Sequence, residues 1–234
     1  AGGSNFVLGM PDGETYRRMK SSILSAFPPA EVEARVRSIA AVHSRQIMQE
    51  AFPGVDVVGR LLRIVPARIC REYYGMLIDD EAEFTDWAIA LSSLFFADFF
   101  GSAVTREMAV SAAAKLDETL NISMEAVRDG RIAADTPLAR LVAMHDAAPS
   151  KLSMPDLRSI MLGMISGFVP TNILASGNAL DVVLSKPEAR AAIEAAIAAK
   201  DDAALDRAVM EAMRFKPINI GPMRVCNTDT VIAK

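Results

Sequence analysis

With 234 residues, 51% hydrophobic and 23% charged, the chain has a globular composition and ample length for a buried core. A formal net charge of -4 leaves no general attraction to nucleic acid phosphates, and 2 distant cysteines with 2 isolated histidines argue against a disulfide framework or a Cys/His metal centre. The first residues lack the basic start and apolar run of a secretory leader, and no continuous apolar stretch of about 18 residues reads as a bilayer span, so the expectation is a cytoplasmic protein with no membrane span and no nucleic acid partner.

The elements read as helices almost throughout. Apolar residues recur at three and four over Tyr16–Phe27, and Pro28-Pro29 ends that helix. A second helix follows over Ala30–Ala51, with Val32, Val36, Ile39 and Ile47 on one face, closed by Pro53-Gly54. A third spans about Gly59–Tyr74, and Asp79-Asp80 opens an apolar, aromatic segment ending near Phe100-Gly101. The pattern then gives a helix over Thr105–Arg128, stopped at Asp129-Gly130, and a short one over Pro137–Ala147. Ser153-Met154-Pro155-Asp156 reads as an N-cap with proline in the first turn of a long helix reaching about Ser185. Helices at Pro187–Ala199 and Asp202–Phe215 follow, then short strands near Met223-Arg224-Val225 and Thr230-Val231-Ile232. The expectation is a mainly α chain of about nine helices with a small β fringe near the C-terminus, in one domain over 1–234. Because Ala1 is not Met and the last residues read as a strand, both ends read as cut.

Certain stretches carry more than periodicity. In Glu211-Ala212-Met213-Arg214, followed by Phe215-Lys216-Pro217, carboxylate and guanidinium stand three apart and can meet on one helix face. Arg224 follows at the first expected strand, and Asn227-Thr228-Asp229-Thr230-Val231-Ile232 leads into the second. The long helix contains Ser166-Gly167-Phe168-Val169-Pro170-Thr171-Asn172. Near the N-terminus, Gly13-Glu14-Thr15-Tyr16-Arg17-Arg18-Met19-Lys20 leads to Ala26-Phe27-Pro28-Pro29-Ala30-Glu31-Val32-Glu33. In order and spacing, over nearly the whole chain, these stretches resemble the cytochrome P-450 family of haem-thiolate monooxygenases, and specifically its central helical part.

The resemblance implies haem as cofactor, held in the complete protein through its iron. It makes Glu211 and Arg214 a buried structural ion pair and gives Arg224 a haem-propionate contact. At the N-terminal helix the family's histidine is missing, and Arg17, Arg18 and Lys20 compete for its arginine's place; Arg17 and Arg18 are carried as cofactor-binding candidates. Gly167 is a further one, since a helix passing over a haem face needs small side chains. The family's acid and threonine, which deliver protons during oxygen activation, are replaced by Val169 and Pro170, leaving Thr171 one step later as the candidate catalytic hydroxyl. That departure favours peroxide-driven over reductase-driven chemistry, with ferredoxin or reductase as the redox partner in the other case. Phe95, Phe96, Phe99 and Phe100 lie where the family connects two lid helices, and four phenylalanines within six residues suit a small apolar substrate. They also suit a helix buried in the protein core or in a dimer contact, or self-association of a truncated chain.

The family's iron ligand, a cysteine in a Phe-Gly-rich loop, has no counterpart here, and Cys70 and Cys226 read as packing residues. The functional expectation is therefore a fragment of a haem-thiolate oxidoreductase, inactive as it stands. The alternative is a haem-free relative serving as a scaffold, or an all-helical ligand-binding or partner-activating protein.

Overall fold

The computed structural model describes Val7, Met10, residues 13–98 and 100–219, and Val231. The chain divides into two compact units, 1–173 and 174–234. Helices carry nearly all of it: α1 (Glu14–Ala26), α2 (29–50), α3 (57–74), α4 (Glu81–Phe96), α5 (Ala103–Arg128), α6 (Pro137–Ala147), α7 (Met154–Ser185), α8 (Pro187–Ala199) and α9 (Asp202–Phe215). Among the described residues there is no strand; the expected strands at 223–225 and 230–232 lie almost wholly outside them.

The helix starts follow side-chain chemistry. Asp80 Oδ1 accepts from the N–H groups of Ala82 and Glu83 at 2.8 and 2.9 Å, which opens α4 out of the segment between Asp79 and Gly101. Ser102, Thr136 and Asp201 cap α5, α6 and α9 in the same way. Gly75 ends α3 at φ 86, a left-handed turn suited to glycine. A Cβ there would stand 2.7 Å from Oγ1 of Thr136, the cap of α6, so the end of one helix and the start of another are fitted together.

The first unit has one continuous core. Met19 and Phe27 from the α1 end, Tyr73 and Tyr74 from α3, Phe84, Leu116, Leu120 and Leu141 meet Leu157, Ile160, Ile165 and Val169 of α7. Burying such side chains is worth about 1.5–3 kcal/mol each relative to exposure. Polar ties cross it: the Leu77 N–H donates to the buried Ser123 hydroxyl at 2.9 Å, and Arg158 of α7 bonds Asp117 and Asn121 of α5. The second unit is thinner, with Ala179, Val182 and Ala212 at its centre and Val183, Ala189, Val209 and Met213 around them.

By length and composition α7 is long and apolar enough to cross a bilayer. Its serines, glycines and asparagines interrupt a continuous apolar run yet leave a helix apolar on most sides. One reason is visible in the first unit, where Leu157, Ile160, Met161, Ile165 and Val169 are buried in the core.

Candidate functional site

The middle of α7 brings together the residues with the most chemical promise. Ile165, Ser166 and Val169 are fully buried, and the Phe168 ring lies tilted against that of Tyr74, with centroids 5.5 Å apart. Gly167 differs: a Cβ built on it would meet nothing within 4 Å. Open space therefore lies beside the Gly167 Cα while its neighbours are packed. The Tyr74 hydroxyl next door is held protonated well above the usual tyrosine range, chiefly by burial.

The polar groups of this segment are turned onto the helix itself. The Thr171 hydroxyl donates to the carbonyl of Gly167 and lies 3.1 Å from that of Phe168. Asn172 Nδ2 donates to the same Phe168 carbonyl at 2.7 Å, and Ser166 Oγ donates to the Gly163 carbonyl at 3.2 Å. Pro170 supplies no N–H to the Ser166 carbonyl one turn back. Val169, at the position where an acid was to be sought, is 0% exposed. A carboxylate there would face the core, and a valine is what that environment accepts.

Of the candidate cations on α1, Arg18 is engaged with the Lys151 carbonyl at 2.5 Å and with Asp156 Oδ2 at 3.0 Å. Arg17 is exposed, and Lys20 Nζ stands 5.9 Å from the Tyr16 ring centroid, at the outer limit of a cation–π contact. Arg224 and Phe99 lie outside the described residues. Around the loop between α4 and α5, Phe95 packs against the core, Phe96 is marginally exposed and Phe100 is 97% exposed. The described phenylalanines thus split between core and surface.

Glu211 and Arg214 do meet, with Nε to Oε2 at 2.8 Å and Nη2 to Oε1 at 2.6 Å. In this chain their side chains are 54% and 66% exposed, whereas the resemblance implies a buried pair in the complete protein. The i,i+3 spacing brings the groups together, but α9 turns Ala212 inward and leaves this pair on the solvent face. Arg214 also lies over the Phe215 ring at 4.7 Å.

Sequence reasoning missed Asp156 as the partner of Arg18, although Ser153-x-x-Asp156 carried the signal of a cap. It also missed the Glu31–Arg140 pair, for which no local spacing gave a sign. Cys70 is fully buried, and desolvation pushes its thiol well above the ordinary range, so this side chain does not fit an iron-ligating thiolate. Glycine at 167 leaves room beside the helix that a larger side chain would fill.

No protein-family model matches the chain, and no curated protein matches it. Solved structures do. The chain aligns with CalO2 at 20% identity and TM-score 0.74, covering 91% of this chain and 51% of that one. The epothilone B-bound cytochrome P450epoK gives 18% identity, TM-score 0.72 and the same coverage. Cytochrome P450 PksS of the bacillaene polyketide synthase from Bacillus subtilis 168 gives 21% identity and TM-score 0.68, again over 91% and 51%. The chain spans about half the length of each of these structures, and over that span it has the cytochrome P450 fold, in its central helical part.

Proposed function

We propose that this chain is the central helical part of a haem-thiolate oxidoreductase that acts on a small apolar substrate and draws its oxidant from a peroxide. The observation that carries the reading is the middle turn of α7. Open space lies beside Gly167, the Val169 position is sealed in the core, and the Thr171 hydroxyl is spent on carbonyls of its own helix. When bound, a haem with a thiolate ligand supplies the electronic push for O–O bond cleavage. Gly167 would admit it to the helix, with no side chain in the way. Val169 offers no carboxylate to pass protons inward, and Pro170 has no donor at all. Thr171 holds its proton toward the Gly167 and Phe168 carbonyls rather than releasing it. A reaction that depends on stepwise proton delivery is poorly served by this set, whereas an oxidant that arrives already reduced depends on it less. Phe96 and Phe100, exposed at the α4–α5 connection, supply apolar surface for substrate entry.

The test is turnover of an apolar substrate by a protein that carries this chain together with a cysteine-ligand loop. Hydrogen peroxide or a lipid hydroperoxide is compared with ferredoxin, reductase and NADPH. Faster peroxide-driven turnover is expected, and well-coupled NADPH-driven turnover that exceeds it refutes the peroxide reading. Haemin added to the 234-residue chain itself is expected to give no thiolate-type Soret band in the ferrous carbon monoxide spectrum.

A further inference from the structure

Arg18 reaches from α1 to acceptors more than 130 positions away in sequence, the Lys151 carbonyl and Asp156 Oδ2. Both bonds come from Nη1, so the two hydrogens on that nitrogen are used. Asp156 already has work of its own as the third residue of α7. The Ser153 N–H donates to Asp156 Oδ2 and the Asp156 N–H donates to Ser153 Oγ, both at 3.3 Å, a reciprocal cap on the first turn. A cap of this kind is complete with Ser153 and Asp156 alone. Arg18 is therefore an addition to it, and it grips the turn on both sides: the carboxylate within the helix and the carbonyl of the loop before it. The Asp156 side chain is only 9% exposed, so the contact is sheltered from competing water.

The position along α7 gives the contact its consequence. Gly167 follows Asp156 by eleven residues, about 16 Å along a straight helix. A helix held at its first turn carries the orientation of that turn to its middle. We propose that Arg18 is a positioning residue rather than an anchor for an anionic cofactor group: with Asp156 and the Lys151 carbonyl it clasps α1 to the start of α7 and so sets the angle at which the Gly167–Thr171 face is presented to α1. The role of that face rests on the haem reading above, whereas the clasp itself does not.

Two measurements on the 234-residue chain test the clasp without any cofactor. The first is the distance between nitroxide labels at Ser21 and Asn172, exposed positions on α1 and α7, by pulsed electron paramagnetic resonance with Cys70→Ala and Cys226→Ser. The parent protein is expected to give one narrow distribution, and Arg18→Gln and Asp156→Asn to broaden or shift it in the same way. The second is a double-mutant melting cycle. Each single variant is expected to lower the midpoint by about 2–4 °C, and the double variant to fall no further than the worse single. An unchanged label distance in both variants, or additive losses in the cycle, overturns the clasp. Haemin binding, followed by quenching of Trp87 fluorescence, separates the two claims. A clasp predicts equal changes for Arg18→Gln and Asp156→Asn; weakening by Arg18→Gln alone marks Arg18 as an anchor and overturns the proposal. Failure of haemin to bind any variant counts against the haem reading and leaves the clasp to be judged by distance and melting.

Discussion

Two arginine–glutamate pairs in this molecule have nearly the same geometry and different surroundings. Arg140 of α6 holds Glu31 of α2 through two bonds, Nη1 to Oε2 at 2.8 Å and Nη2 to Oε1 at 2.7 Å. Arg214 holds Glu211 through two bonds of 2.6 and 2.8 Å within one helix. The first pair is 21% and 31% exposed, joins residues 109 apart, and adds a bond from Arg140 to the Ala26 carbonyl at 3.1 Å. The second is 66% and 54% exposed and joins residues three apart that the helix already brings near. Bond lengths therefore do not rank the pairs. The surroundings do: a sheltered pair that ties separate elements opposes unfolding, whereas a solvated pair mostly exchanges one hydration for another.

The sharpest way to break this comparison is Arg140→Met, which removes all three bonds and leaves the Glu31 carboxylate and the Ala26 carbonyl half-sheltered without their donor. Urea unfolding is expected to show a loss of about 2 kcal/mol, with the partial exposure of the pair already discounted. A loss below about 0.5 kcal/mol would place it with ordinary surface pairs.

The next effect is pH dependence. Hydrogen bonding from Arg140 holds the Glu31 carboxyl below the usual glutamate range against the opposing pull of burial, with added help from the charges of Arg140 and Arg35. For Asp156 burial is the largest influence and pushes upward, but the bonds from Arg18 and Ser153 outweigh it and the carboxyl is lowered. Because both folded values lie below the unfolded ones, their stabilisation is present above the unfolded carboxylate range, about pH 4, and is lost as pH falls through the folded values. Stability of the natural chain should therefore drop between about pH 5 and pH 3 more steeply than that of Glu31→Gln. The difference should stay within about 1 kcal/mol, and matching slopes would remove Glu31 from the account.

The smallest effect belongs to Glu211→Ala. Its melting midpoint should stay within experimental scatter of the natural chain, and any residual difference should vanish in 1 M salt. A loss as large as that of Arg140→Met would reverse the ranking and restore the buried pair read from the sequence.

The sequence was most informative where the cause of structure is local. Pro137–Ala147, Pro187–Ala199 and Asp202–Phe215 have the bounds expected from proline in the first turn or an aspartate cap. Ser153 marked the start of α7 for the same reason. The aromatic segment after Asp79 was harder, because its apolar residues crowd several faces; its helix begins at the Asp80 cap and stops at Phe96, before Phe100. At the candidate site, Gly167 and Thr171 were singled out by the resemblance of their stretch to the family's central helix. The partner of Arg18 was not, since nothing in Arg18 or its neighbours points to Asp156, 138 positions on. The exposure of Glu211 and Arg214 was equally hidden. Spacing states that two residues share a face, and only the assembled helices decide which way that face looks.

The sealed position of Cys70 has a use in kinetics. Its thiol is inaccessible in the folded chain, and burial holds it in the unreactive protonated form. With Cys226 replaced by serine, modification of Cys70 by a thiol reagent has to wait until α3 leaves the core. When reclosing outruns modification, the labelling rate reports the free energy of opening; when it does not, the rate is that of opening itself. A single buried sulfur thus makes the first unit its own clock for how often, and how fast, its centre comes apart.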